Sequence, residues 1–308
     1  MKKFLIRLLI FLSLAVVYDY ILGLTLDHLA LKAKSGQALK NREIAESAAP
    51  DILILGSSRS VHHYVPDEIE RIMGRPTYIA GQDGNGIVLM APLLHYISAR
   101  HKPEIVIYDV TPAFDLYDDD PHRYLRYLRP LWGRNNYVDS VIMSIDDVEA
   151  IKLHSNLFRY NSSLFSMLKG LFPSTNFDRG YKPLDGVLTD IKNKASVTSP
   201  ASGISEQKLD LFRDMINFCR NNNIQLYFTV SPIYVQQPNS AIKVFANELN
   251  VSVLDYSNDT ELIRREYFQD IDHLNHTGAV AYTDKIASRI QSLSEHPLRA
   301  RSLKFRGP

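Results

Sequence analysis

Short apolar, β-rich runs recur along the chain at Ile52–Leu55, Thr77–Ala80, Ile105–Val110, Leu226–Val230 and Val251–Tyr256. Several are apolar at consecutive rather than alternate positions, which suits strands buried on both faces of a parallel sheet. Helical patterns fall between them. Pro66-Asp-Glu opens one over 66–73, because proline fits a first turn and acids favour the N-terminal end of the helix dipole. Residues 87–98 are long and apolar. Ser205 is placed to cap a helix over 205–220 with Leu209, Phe212, Ile216 and Cys219 on one stripe, ended by Asn221-Asn-Asn223. A shorter helix is expected over 239–249. Thr277 is placed to cap a last one whose Tyr282, Ile286, Ile290 and Leu293 face the core. Strands alternating with helices predict a doubly wound α/β sandwich, in which ligands bind beyond the carboxyl ends of the strands.

Two stretches break the rhythm. Lys2 and Lys3 precede an apolar run, Phe4–Leu24, interrupted by Arg7, Asp19 and a few small polar residues. With its flanks it reaches the roughly 20 residues that a bilayer span needs. No clean small-x-small cleavage site follows, so a retained signal-anchor over 1–25 is the first reading, ahead of a cleaved signal peptide and a soluble amphipathic helix. Arg7 can snorkel, whereas Asp19 is a cost. The positive N-terminus favours a body outside the cytoplasm, against the pull of Lys32, Lys34, Lys40 and Arg42 on the far side. Residues 26–50 read as a polar helical stalk. The second break, 113–204, is rich in Tyr, Phe, Asp and Arg. It reads as an insertion in a domain over 51–295, either shaping substrate access or an inert helical decoration. Residues 296–308 form a basic tail.

Composition narrows the classes. The chain has 308 residues, 45% hydrophobic and 22% charged, with a formal net charge of +1. That is room for one large α/β domain and no bulk bias toward nucleic acid. The single cysteine, Cys219, lies on an apolar helical stripe and reads as core rather than nucleophile.

The chemistry is expected where the first run ends. Asp51-Ile-Leu-Ile-Leu-Gly-Ser-Ser58 carries a buried strand into a glycine and two serines, and Asp270-Ile-Asp-His273 stands near the other end. A serine hydroxyl needs a base to take its proton, and the base needs an orienting acid. His273 is the candidate base. Asp270 is the candidate orienter, because a turn over two residues brings its carboxylate onto the imidazole, with Asp272 in competition. A second turn, Ala80-Gly-Gln-Asp-Gly-Asn-Gly86, follows the second run and can aim backbone amides at an oxyanion. It lacks the G-x-G-x-x-G spacing and a P-loop lysine, so no nucleotide cofactor is expected. Arg59 can bind an anionic substrate group or a neighbouring carboxylate. His62 and His63 are not spaced as helical metal ligands, and no metal is expected.

These blocks resemble the SGNH/GDSL hydrolase superfamily over about residues 51–112 and 205–293. The resemblance implies that Gly56-Ser57-Ser58 is the first block, with Ser58 the nucleophile. It also implies that Gly84 supplies an oxyanion amide, with Asn85 beside it, and that Asp270 and His273 complete the triad, followed by Leu274-Asn275. The fold it implies is a five-stranded parallel sheet between helices, in flavodoxin-like order, with a shallow open site. Two positions depart. Ser57 stands where the family usually has aspartate. The third block's asparagine is replaced by Tyr108-Asp-Val-Thr111, where an ionised Asp109 would repel an oxyanion.

The implied activity is that of an anchored extracytoplasmic esterase or O-acyl transferase acting on cell-envelope glycan esters. Similarity to alginate O-acetylation proteins and to the D-alanyl transfer protein of teichoic acid synthesis implies a multi-spanning O-acyltransferase as partner. The missing asparagine motivates the alternative, a catalytically idle membrane-tethered binding or assembly subunit.

Overall fold

A computed structural model describes residues 1–117, 119–173, 177–189, 203–235 and 240–295. The tail at 296–308 and residues 118, 174–176 and 190–202 of the insertion lie outside the described residues. The chain divides into two compact units, Met1–Ser47 with Pro121–Asn176, and Ala48–Asp120 with Phe177–Pro308.

The second unit is the α/β body. Its five strands are β1 (Ile52–Gly56), β2 (Thr77–Ile79), β3 (Ile105–Asp109), β4 (Gln225–Val230) and β5 (Val253–Asp255). All pair in parallel, in the order β2-β1-β3-β4-β5. Each predicted run therefore contains a strand, and the order is the flavodoxin-like one. Successive side chains of a strand point to opposite faces. Ile52, Ile54, Ile79, Ile105 and Ile107 accordingly build one core with Ile69 of the helix Pro66–Met73 and with Tyr282, Ile286 and Ile290 of the helix His276–Glu295. On the other face Tyr108 and Phe228 pack edge-on against Phe212 of the helix Glu206–Asn221, and Phe228 and Phe212 against Phe245 of the helix Ser240–Leu249. Burial on both faces explains why these strands read as unbroken apolar runs.

The helices fall where the periodicity puts them, with three local corrections. The last helix begins at His276, so Thr277 lies inside it. Asn275 is its cap, accepting the Gly278 N–H on Oδ1 at 3.0 Å. Ser205 precedes the helix Glu206–Asn221 but makes no side-chain capping bond. In that helix Met215 rather than Ile216 is fully buried between Phe212 and Cys219. Cys219 is core as expected, and burial pushes its thiol up to about 12.

The first unit is helical. Its N-terminal helix, Lys2–Leu31, is long and apolar enough to cross a membrane, and its most apolar stretch is wholly exposed. Leu26 near its end packs with Tyr160 and Met167, flanked by Leu22, Leu29 and Leu164. Residues beyond Leu31 form a short helix, Gly36–Arg42, and a π-helical turn, Glu43–Ser47, with Ala38 and Ile44 buried. Five further α-helices between His122 and Gly170 complete the unit.

Candidate active site

In a sheet of this order the chain leaves β1 toward β2 on one side and β3 on the other, which opens a crevice at the carboxyl end of β1. Gly56 ends β1 there. Its φ of 136° lies in a region L side chains avoid, and a Cβ would stand 2.6 Å from the Asp109 carbonyl oxygen. That close approach lets the chain turn at once into the helix Ser58–His63, with Ser58 as its first residue.

Ser58 and the distant D-x-x-H segment meet. His273 Nε2 lies 2.8 Å from Ser58 Oγ, and His273 Nδ1 lies 3.0 Å from both Asp270 oxygens. With Nδ1–H donating to the carboxylate, Nε2 is left to accept the serine proton. Asp270 also takes the backbone N–H groups of Asp272 at 2.8 Å and His273 at 2.9 Å, so one carboxylate both closes the turn and orients the ring. Asp272 contributes only that backbone bond to Asp270. Burial pushes the Asp270 carboxyl up, but the His273 ring and the two N–H groups outweigh it and hold it below the ordinary carboxylate range.

The second glycine turn sits against the first. Gln82 N–H donates to the Gly56 carbonyl at 3.0 Å, and a Cβ on Gly81 would fall 1.8 Å from Ser60 Oγ. Gly84 has a φ of 66°. Asn85 is buried, donating through Nδ2 to the Asp83 carbonyl at 2.7 Å while its Oδ1 has no hydrogen-bond partner.

Arg59 takes the second of its two expected roles. It is buried, and its guanidinium donates to the Val110 carbonyl at 2.6 Å, to Thr111 Oγ1 at 3.1 and 3.3 Å, and to the Ser231 carbonyl at 3.5 Å. Its Nη2 stands 3.6 Å from Asp109 Oδ1. Arg59 thus ties the ends of β3 and β4 to the helix that begins at Ser58, with its guanidinium turned into the protein. Asp109, opposite Gly56 in the sheet register, is fully buried and receives the Tyr64 hydroxyl at 2.8 Å. Burial pushes its carboxyl up, with Arg59 opposing. Tyr64 also meets Thr229 at 2.7 Å and Tyr282 at 3.0 Å, closing a polar network inside the core.

Sequence reasoning missed what holds the loop that carries Asp270 and His273. His63 Nε2 accepts the Leu274 N–H at 3.0 Å, so its Nδ1 carries the proton and donates to Ser231 Oγ at 2.9 Å. Full burial, with the nearby His273, Arg59 and His62, keeps His63 neutral, well below the ordinary histidine range. His62 donates from Nδ1 to the Lys182 carbonyl at 2.7 Å and stands edge-on to His273 with ring centroids 5.5 Å apart. Lys182 lies on Phe177–Thr189, the described return of the insertion, where Leu188 N–H also bonds the Phe268 carbonyl. The only sequence signal for these roles is that His62 and His63 follow Ser58 within a turn and a half.

Among the described residues no group of three or more His, Cys, Asp or Glu is set to hold a metal. No protein-family model matches the chain. No curated protein matches it either.

Proposed function

We propose that the chain is a serine esterase or O-acyl transferase of SGNH type. The observation that carries this reading is the unbroken relay from Ser58 Oγ through His273 to Asp270 at the carboxyl edge of the sheet. Ser58 Oγ attacks an ester carbonyl while His273 Nε2 takes its proton. The tetrahedral adduct collapses, its C–O bond breaks, and the leaving alcohol receives that proton from His273. Water or a sugar hydroxyl then gives its proton to His273 and attacks acyl-Ser58; the bond to Ser58 Oγ breaks, His273 returns the proton to that oxygen, and the acyl group leaves as acid or new ester. Backbone amides of the Ser58 and Gly84 turns are the proposed oxyanion donors, with Asn85 beside them. The N-terminal helix is proposed to anchor the body outside the cytoplasm, facing cell-envelope glycan esters and a multi-spanning O-acyltransferase.

One observation favours a second reading, an idle membrane-tethered binding or assembly subunit. The end of β3 offers Asp109 and Thr111, both engaged by Arg59, where a side-chain oxyanion donor would be useful. Fluorophosphonate labelling of the full chain in detergent separates the two. Labelling that disappears in Ser58→Ala and His273→Ala is expected of the enzyme. A folded wild-type chain that does not label moves the reading to the tethered subunit.

A further inference from the structure

The helical unit contains a cavity of about 400 Å³ that the hydrolytic reading does not use. Its walls include Tyr20 and Leu24 from the N-terminal helix, and Trp132, Arg134, His154 and Arg159. The two arginines differ. Arg134 is balanced by Asp27 at 2.9 Å and Glu46 at 3.5 Å. Arg159 has no carboxylate partner among the described residues. Its guanidinium makes one hydrogen bond, from Nη2 to Asn156 Oδ1 at 3.1 Å, and its buried Nε has no acceptor. A half-buried guanidinium with most of its donors unspent is matched by an anion with several acceptor oxygens.

Depth says which anion. The exposed apolar side chains of the N-terminal helix run on through Tyr18, Tyr20 and Ile21 to Leu24. Within this run Asp19 is held by Ser155 Oγ at 2.8 Å and by the backbone N–H groups of Asn156 at 2.8 Å and Leu157 at 3.0 Å. This carboxylate is therefore hydrogen-bonded within the protein, as a charge close to hydrocarbon must be. From Lys3 to Leu24 the helix rises about 32 Å, close to the roughly 30 Å thickness of a bilayer core. The cavity, walled from this helix by Tyr20, Gly23, Leu24 and Asp27, straddles that end of the span, at the boundary between hydrocarbon and headgroups. Tyr20 and Trp132 are residues of that layer. The same unit exposes further apolar side chains, with Phe165 80% and Leu168 46% exposed on one stripe of the helix Leu164–Gly170 and Phe172 69% exposed just beyond it.

We propose that the cavity holds the phosphate headgroup of an anionic membrane phospholipid, with Arg159 as its main ligand. This rests on the N-terminal helix lying in a membrane and is independent of the proposed chemistry at Ser58. Trp132 is the only tryptophan of the chain and lines the cavity, so its fluorescence reports occupancy directly. The full chain in a neutral detergent is titrated with short-chain phosphatidylglycerol and, separately, phosphatidylcholine. A saturable Trp132 response to phosphatidylglycerol is expected, about tenfold weaker for phosphatidylcholine and for Arg159→Gln, and partly restored in Arg159→Lys. Equal titrations of the two lipids, or an Arg159→Gln chain that responds like wild type, overturn the proposal. Saturation by glycerol 3-phosphate at the same concentration overturns the lipid origin of the phosphate. Extraction of the chain from membranes at alkaline pH tests the anchoring separately, so a failure there is not mistaken for a failure of the site.

Discussion

The two units treat their apolar residues in opposite ways. In the sheet unit the β1 side chains Ile52 to Leu55 are completely buried, and among the described residues only Val187 and Val244 are large exposed hydrophobics. The helical unit exposes Phe4, Leu9, Phe11, Ile151, Phe165 and Phe172, and many more along the N-terminal helix. A soluble protein scatters exposed apolar side chains singly, and contiguous ones mark a contact surface. The difference teaches that the sheet unit closes its apolar surface on itself, whereas the helical unit leaves a long apolar surface uncovered. Polar groups invert in the same way. The sheet unit buries a network of Asp109, Tyr64, Thr229 and Tyr282, and the helical unit satisfies Asp19 and Asp27 at its surface.

The sharpest separation of the two units is catalytic. Ser58→Ala or His273→Ala should lower kcat/KM on a model ester by about 10⁴-fold or more, and Asp270→Asn by about 10² to 10⁴. None should change the membrane association of the chain, measured by fractionation. Loss of both properties together would show that the units are not independent.

Matched phenylalanines test the contrast in burial. Phe212→Ala in the sheet unit should cost about 3–5 kcal/mol in denaturant unfolding, because it empties a filled core. Phe165→Ala should stay within about 0.5 kcal/mol in detergent. A large cost at Phe165 would mean that it packs against protein.

The buried pair sharpens the picture of the sheet unit. Arg59→Met leaves the Asp109 carboxyl without its cation and should destabilise by about 3 kcal/mol. Adding Asp109→Asn should recover part of that loss in a double-mutant cycle. An Arg59→Met chain of wild-type stability but weakened substrate KM would instead return Arg59 to substrate binding.

The smallest expected effect is on pH dependence. His63 is neutral when folded and has an ordinary value of 6.5 when unfolded. Below that value the unfolded chain takes up a proton that the folded chain refuses, so stability falls as pH drops through about 6.5 and is unaffected above it. The slope approaches about 1.4 kcal/mol per pH unit. His63→Gln can still accept from Leu274 N–H and should lack this component in melting profiles between pH 7 and 5. A wild-type slope in His63→Gln would place the titration elsewhere.

Local chemistry was readable along the chain. The apolar runs marked all five strands, because a strand covered on both faces has no polar position to hide it. Gly56-Ser57-Ser58 and Asp270-x-x-His273 were legible as halves of a site, because a tight turn after a strand and a carboxylate three residues before a histidine are short-range arrangements. The closure of Ser58 on His273, 215 residues apart, was decided by the parallel sheet order, which brings the end of β1 beside the segment before the last helix. Arg59 had two readings that only the register could separate, since Asp109 lies opposite Gly56 through strand pairing and not through sequence distance. His63 looked like half of an unexplained pair until the fold put Leu274 and Ser231 at its two nitrogens. Thr277 and Asn275 are both good caps, and the start of the helix chose between them. The N-terminal helix was evident from its length and apolar character. That Asp19 and Asp27 would be met by Ser155, Asn156, Leu157 and Arg134, more than a hundred residues away, was not, because such partners are supplied only by packing.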